Sequence, residues 1–125
     1  MYQKAYDTYN RLSNGDQATL KRCTLSTLAN TPAYFRILKL SGLADTQQVQ
    51  RILFLLIGTD VSTAQDAVPL IKAMHKAGIK EAHIVQIVRS GDNGLIYFKR
   101  QLQRCENIQL KSLGSVVQYW GEHTR

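Results

Sequence analysis

A chain of 125 residues with 44% apolar content can build one hydrophobic core but not two, so it reads as a single domain over residues 1–125. A mean hydropathy of −0.23 and a longest apolar run confined to residues 52–57 argue against a membrane protein, and residues 1–12 hold no hydrophobic block of secretory type, so a cytoplasmic location is expected. Sixteen basic residues against nine acidic ones, a net charge of +7 with a pI near 9.7, favour a polyanionic partner, of which nucleic acid is the commonest.

Helical periodicity dominates from the first residues. Tyr2, Ala5, Tyr6, Tyr9 and Leu12 form a stripe over residues 2–12, with Asn14-Gly15 as a left-handed stop. Asp16 is placed to cap a second helix, residues 17–23, where Lys21 and Arg22 lie beside the apolar Leu20. Residues 24–30 make a short helical turn. Thr31-Pro32 then combines a hydroxyl N-cap with proline at the first helical position. The helix it opens, residues 33–40, carries Tyr34, Phe35, Ile37 and Leu38 with Arg36 and Lys39 as its charges, and Ser41-Gly42 ends it. Residues 46–57 are nearly all apolar in their second half, with Arg51 the one charge, which predicts the most buried helix.

A polar loop follows at residues 58–65. Pro69 begins a helix with Leu70, Ile71, Met74 and Ala77 inward and Lys72, His75 and Lys76 outward, closed by Gly78. Residues 79–105 read as two helices around a glycine-rich corner, residues 90–94. Ile84, Ile87 and Val88 form the apolar stripe of the first. Leu95, Phe98, Leu102 and Cys105 form that of the second, at spacings of 3, 4 and 3. Lys99, Arg100 and Arg104 point away from that stripe, and no acid is interleaved among them to neutralise their mutual repulsion. Asn107 begins a last helix with Leu110, Leu113, Val116, Val117 and Trp120 in register. No strand-like alternation persists, so the expected class is all-α, a compact single-domain bundle of about six to eight helices.

Catalytic and metal readings find no constellation, and no enzyme is expected. His75, His83 and His123 are scattered, and neither an HExxH pair nor a CxxC spacing occurs. Gly91 and Gly94 lack the third glycine and the preceding strand of a phosphate loop. Asp60 and Asp66 read as capping or solvated loop residues. No metal, cofactor or catalytic residue is therefore assigned. Cys23 and Cys105 read as reduced, packed thiols. The tyrosine stripe of the first helix reads as core, with stacking on bases as the alternative.

Tyr6, Asn14-Gly15, Leu20-Lys21-Arg22 and the run Pro32-Ala33-Tyr34-Phe35-Arg36-Ile37 resemble the start of the CasB family, the small subunit of the type I-E CRISPR Cascade complex. LIKAMHKAG at residues 70–78, IVQIVR at 84–89, FKRQL at 98–102 and Tyr119-Trp120-Gly121 continue the resemblance in the same order. Tyr9 and Tyr119 depart from it, standing where tryptophans are common. The resemblance implies an all-helical, non-enzymatic subunit of an RNA-guided complex. Its partners would be guide RNA, the target and displaced DNA strands, the backbone and large subunits, and a second copy of itself. Carried over by position, the nucleic-acid-binding residues are Lys21, Arg22, Arg36, Arg89, Lys99 and Arg100; helix geometry adds Arg104. The alternative is a helical interaction module whose basic face docks on an acidic protein without touching nucleic acid.

Overall fold

Apolar residues at helical spacing become helices almost wherever they occur in this chain. The computed structural model describes residues 1–118 and 120. Tyr119, Gly121, Glu122 and His123 lie outside the described residues, as do the side chains of Val88 and Asp92. The fold class is all-α, with nine helices among the described residues. They are α1 (Tyr2–Arg11), α2 (Asn14–Lys21), α3 (Leu25–Leu28), α4 (Pro32–Ser41), α5 (Gln47–Leu56), α6 (Leu70–Lys76), α7 (Glu81–Arg89), α8 (Gly91–Leu102) and α9 (Leu110–Gln118). Among the described residues no helix is long and apolar enough to cross a membrane. The helices gather into two compact units, residues 1–57 and 58–125.

In the first unit α1 packs against α4 and α5, α2 against α4, and α3 against α5. Residues 52–57 are all buried, so α5 is the central element its composition predicts. The break between α1 and α2 falls at Leu12 and Ser13 rather than at Asn14-Gly15. Ser13 is the cap of α2, accepting from the Asp16 amide at 3.1 Å, which leaves the Asp16 carboxylate available for another partner. Thr31 starts α4 without a side-chain cap; its hydroxyl instead donates to the Thr27 carbonyl at 3.0 Å. Gly42 closes α4 in the left-handed conformation, φ +74°, that a glycine accepts without a Cβ penalty.

In the second unit two short strands correct the expectation that no strand would form. β1 (Val61–Ser62) lies inside the polar loop and pairs in parallel with β2 (Ile108–Gln109), Val61 facing Ile108 and Ser62 facing Gln109. Two residues per strand are too few for alternation to register in the sequence. Asn107 organises the pairing: its amide donates to the Asp60 carboxylate at 2.9 Å and its side chain to the Asp66 carbonyl at 3.0 Å. It adopts a left-handed φ of +52°, a conformation that asparagine tolerates better than most residues. The last helix accordingly starts at Leu110 and not at Asn107.

The hairpin of α7 and α8 is tighter than the five-residue corner expected at 90–94. Only Ser90 separates the helices, and Gly91, φ +63°, makes the turn while already opening α8. Asn93 and Gly94 lie inside α8. At Gly94 the helices touch backbone to backbone: a Cβ there would stand 2.0 Å from the Ile87 carbonyl oxygen and 2.8 Å from Ser90 Cβ. Leu95, Phe98 and Leu102 are fully buried beneath, with Cys105 nearly so. Trp120 closes the corner, stacking on Phe98 at 5.4 Å between ring centroids and donating its indole N–H to the Gly91 carbonyl at 3.2 Å.

Candidate functional site

The seven basic residues singled out in the sequence divide between the units. Lys21, the last residue of α2, and Arg22, its C-cap, are both exposed. Cations at a helix C-terminus meet the negative end of its dipole favourably, yet such an interaction leaves the charged head in water. Arg36, on α4, differs from them. Its guanidinium pairs with Asp16 at the start of α2; the Asp16 side chain is 22% exposed and that of Arg36 55%. Arg36 therefore ties α4 to α2 and is not an unpartnered cation.

The second unit holds Arg89, Lys99, Arg100 and Arg104. Arg104 lies beyond α8, which ends at Leu102 instead of reaching Cys105. Its guanidinium donates to the Gln101 side-chain oxygen at 2.8 Å and to the Ala77 carbonyl at 3.0 Å. Ala77 is the C-cap of α6, where carbonyls lack intrahelical donors, so Arg104 satisfies one of them. Arg104, added to the basic set on helix geometry, is held by this clamp instead of continuing α8. Arg89 ends α7 and Arg100 lies in the last turn of α8; both are exposed, and neither side chain has a hydrogen bond or ion pair among the described residues. Lys99, beside Arg100, is half-buried.

A shallow groove of about 250 Å³ runs between α7 and α8, lined by His83, Gln86, Ile87, Ser90, Asn93, Gly94 and Tyr97. In the sequence His83 is one of three scattered histidines, and Tyr97 belongs to no apolar stripe. The two rings meet at 5.4 Å between centroids with a 44° tilt, and Tyr97 keeps 38% of its surface exposed. The close contact at Gly94 brings them together: it sets α8 directly on α7, so the side chains one turn away meet across the seam. The signal was present in the Asn93–Tyr97 spacing of four, but needed the register of the two helices to be read.

A larger cleft, about 490 Å³, is bounded by Asp66, Lys76, Ala77, Arg104, Cys105, Glu106 and Asn107 among others. Its chief polar groups already serve the fold. Arg104 holds α6, while Asn107 is bonded to Asp60 and Asp66. Burial pushes the Cys105 thiol pKa up, and the nearby Arg104 charge opposes this. That environment disfavours the thiolate a nucleophile requires. Both cysteines carry free thiols. Among the described residues no three His, Cys, Asp or Glu side chains come together as a metal site. Comparison of the chain with protein-family models, with curated proteins and with solved structures found no match.

Proposed function

We propose that this chain is a non-catalytic small subunit of an RNA-guided CRISPR surveillance complex of the CasB kind. In this reading it works in the cytoplasm, holds nucleic-acid backbone, and stabilises the guide RNA–target DNA R-loop together with the displaced strand. The observation that carries the reading is the pair of exposed arginines, Arg89 and Arg100, on the α7–α8 hairpin, whose side chains have no partner among the described residues. A surface arginine without a carboxylate keeps its full fork of donors for phosphate. Lys21 and Arg22 add exposed cations on the other unit, and both units contain more basic than acidic residues. The ordered likeness to the CasB family, from the Tyr6 helix to Trp120, supplies the biological setting.

The physical task is modest. Guide pairing reads the sequence, and the heteroduplex formed is about as stable as the duplex it replaces. A few phosphate contacts suffice to tip such a balance. Arg36 and Arg104 are committed to the fold, so the contacts in this reading fall chiefly to Lys21, Arg22, Arg89 and Arg100, with Lys99 beside them. Contacts with the backbone and large subunits and with a second copy belong to the same reading; α4 supports them by leaving Phe35 and Leu40 half or more exposed.

Changing Arg89, Lys99 and Arg100 together to alanine tests this. The variant is expected to keep its helical spectrum, to bind single-stranded DNA more weakly with a shallower salt dependence, and to shorten R-loop lifetime when assembled with a guide-RNA complex. Full R-loop lifetime and an unchanged salt slope would refute it. Failure of the wild-type chain to co-purify with any guide-RNA complex would remove the CRISPR setting.

A further inference from the structure

Between Arg89 and Arg100 the α7–α8 hairpin carries features that phosphate binding alone does not require. Tyr97 is exposed and braced by His83. The amide side chains of Gln86 and Asn93 line the same groove, are exposed, and have no hydrogen-bond partner among the described residues. None of the described residues lining the groove is acidic. At about 250 Å³ it lies below the range of ordinary small-molecule sites, and it is open to solvent.

The helical register orders these groups. Asn93, Tyr97 and Arg100 follow one another at spacings of four and three, which places them in one row on α8. Gln86 and Arg89 are three apart on α7, near its corner end. Arg89 lies next to the turn, while Arg100 stands roughly 14 Å farther along the hairpin at 1.5 Å rise per residue. An aromatic ring thus lies, along the hairpin axis, between two exposed guanidinium groups, with two amides beside it that have no partner among the described residues.

We propose that this groove is a base-stacking subsite for single-stranded nucleic acid. Tyr97, held by His83, receives the face of an unstacked base; Gln86 and Asn93 bond its edge; Arg89 and Arg100 hold phosphates at the two ends. The inference rests on the nucleic-acid reading above and deepens it by naming the strand class: a duplex keeps its bases stacked and cannot offer a face to Tyr97. Stacking on an aromatic tolerates every base, so the subsite distinguishes a base from its absence far more than one base from another.

The test compares the full chain's binding to a labelled single-stranded DNA oligonucleotide with its binding to one of equal length bearing abasic sites. Phosphate number is the same in both, so the electrostatic contribution cancels. The expected result is tighter binding of the base-bearing strand, on the order of five- to a hundredfold for one stacked base. Tyr97→Phe should retain the preference. Tyr97→Ala should abolish it, with the salt slope unchanged. Quenching of 2-aminopurine within the strand gives a second readout on the wild-type chain and needs no variant. Equal binding of the two oligonucleotides with normal salt dependence would overturn the stacking subsite and leave the phosphate reading standing. Absence of binding to either strand at low salt would overturn both.

Discussion

Two buried phenols of the first unit have opposite surroundings. Tyr34 donates its hydroxyl to Asp45 at 2.5 Å, and Gln50 donates to the same carboxylate oxygen at 2.9 Å. Burial first, and then the bond and charge of Asp45, raise the Tyr34 pKa. The Tyr34 bond first, and then that of Gln50, lower the Asp45 pKa. A raised phenol contributes stability that is fully present below its unfolded value of about 10 and is lost as pH rises through the folded one. A lowered carboxyl contributes stability present above its unfolded value of about 3.9 and lost as pH falls toward the folded one. Tyr34→Phe should therefore have a lower urea midpoint than wild type near pH 7, and the gap should narrow as pH is raised past about 10. Tyr9 contrasts with it: the residue is only 6% exposed, and its hydroxyl has no hydrogen-bond partner among the described residues. Burial alone raises its pKa. Tyr9→Phe removes an unsatisfied buried group and should gain about 1 kcal/mol in urea unfolding. The sequence placed both tyrosines on apolar helical faces, but a partner at a separation of 11 residues, as Asp45 is to Tyr34, lies beyond what spacing along one helix can reveal.

Elements were legible where a stripe ran for two turns or more, and boundaries failed where a tertiary contact decided them. The α7–α8 corner is the clearest case. Read alone, Ser90 to Gly94 offers every signal of a loop, yet Gly94 serves as the point of closest approach between two helices. Gly94→Ala should lose roughly 3 kcal/mol, because the new methyl meets the Ile87 carbonyl rather than a side chain able to move aside. Gly15→Ala is the matching control. Inside α2 its methyl would meet nothing nearer than Ser13 Oγ at 3.9 Å, so helix propensity should give a gain of about 0.5 kcal/mol. Opposite signs in thermal melts of the two variants would separate close packing from propensity. The β1–β2 pair was missed for a related reason: Asn107 and Asp60, 47 residues apart in the chain, hold it in register.

At the scale of the whole molecule, charge was the most legible property, and its distribution the least. Composition reported an excess of cations without saying which were already engaged. The structure finds Arg36 paired with Asp16 and Arg104 bonded to Gln101 and the end of α6, so two of the seven residues first assigned to one binding face support the fold. This divides two arginines only four residues apart, Arg100 and Arg104, into different classes of variant. Arg104→Ala should cost about 1 kcal/mol of stability by releasing the α6 terminus, with little effect on the salt dependence of binding. Arg100→Ala should leave stability within about 0.5 kcal/mol of wild type, since the side chain is exposed and unpartnered among the described residues. It should instead reduce the slope of log K against log salt on single-stranded DNA by about 0.7, the counterion release of one lost phosphate contact. A urea series and a salt titration on the same two proteins measure both quantities. If Arg104→Ala flattened the slope while Arg100→Ala did not, the assignment of fold and phosphate roles would have to be exchanged. If neither changed it, the basic excess of the second unit would be directed at an acidic protein surface instead of a nucleic-acid backbone.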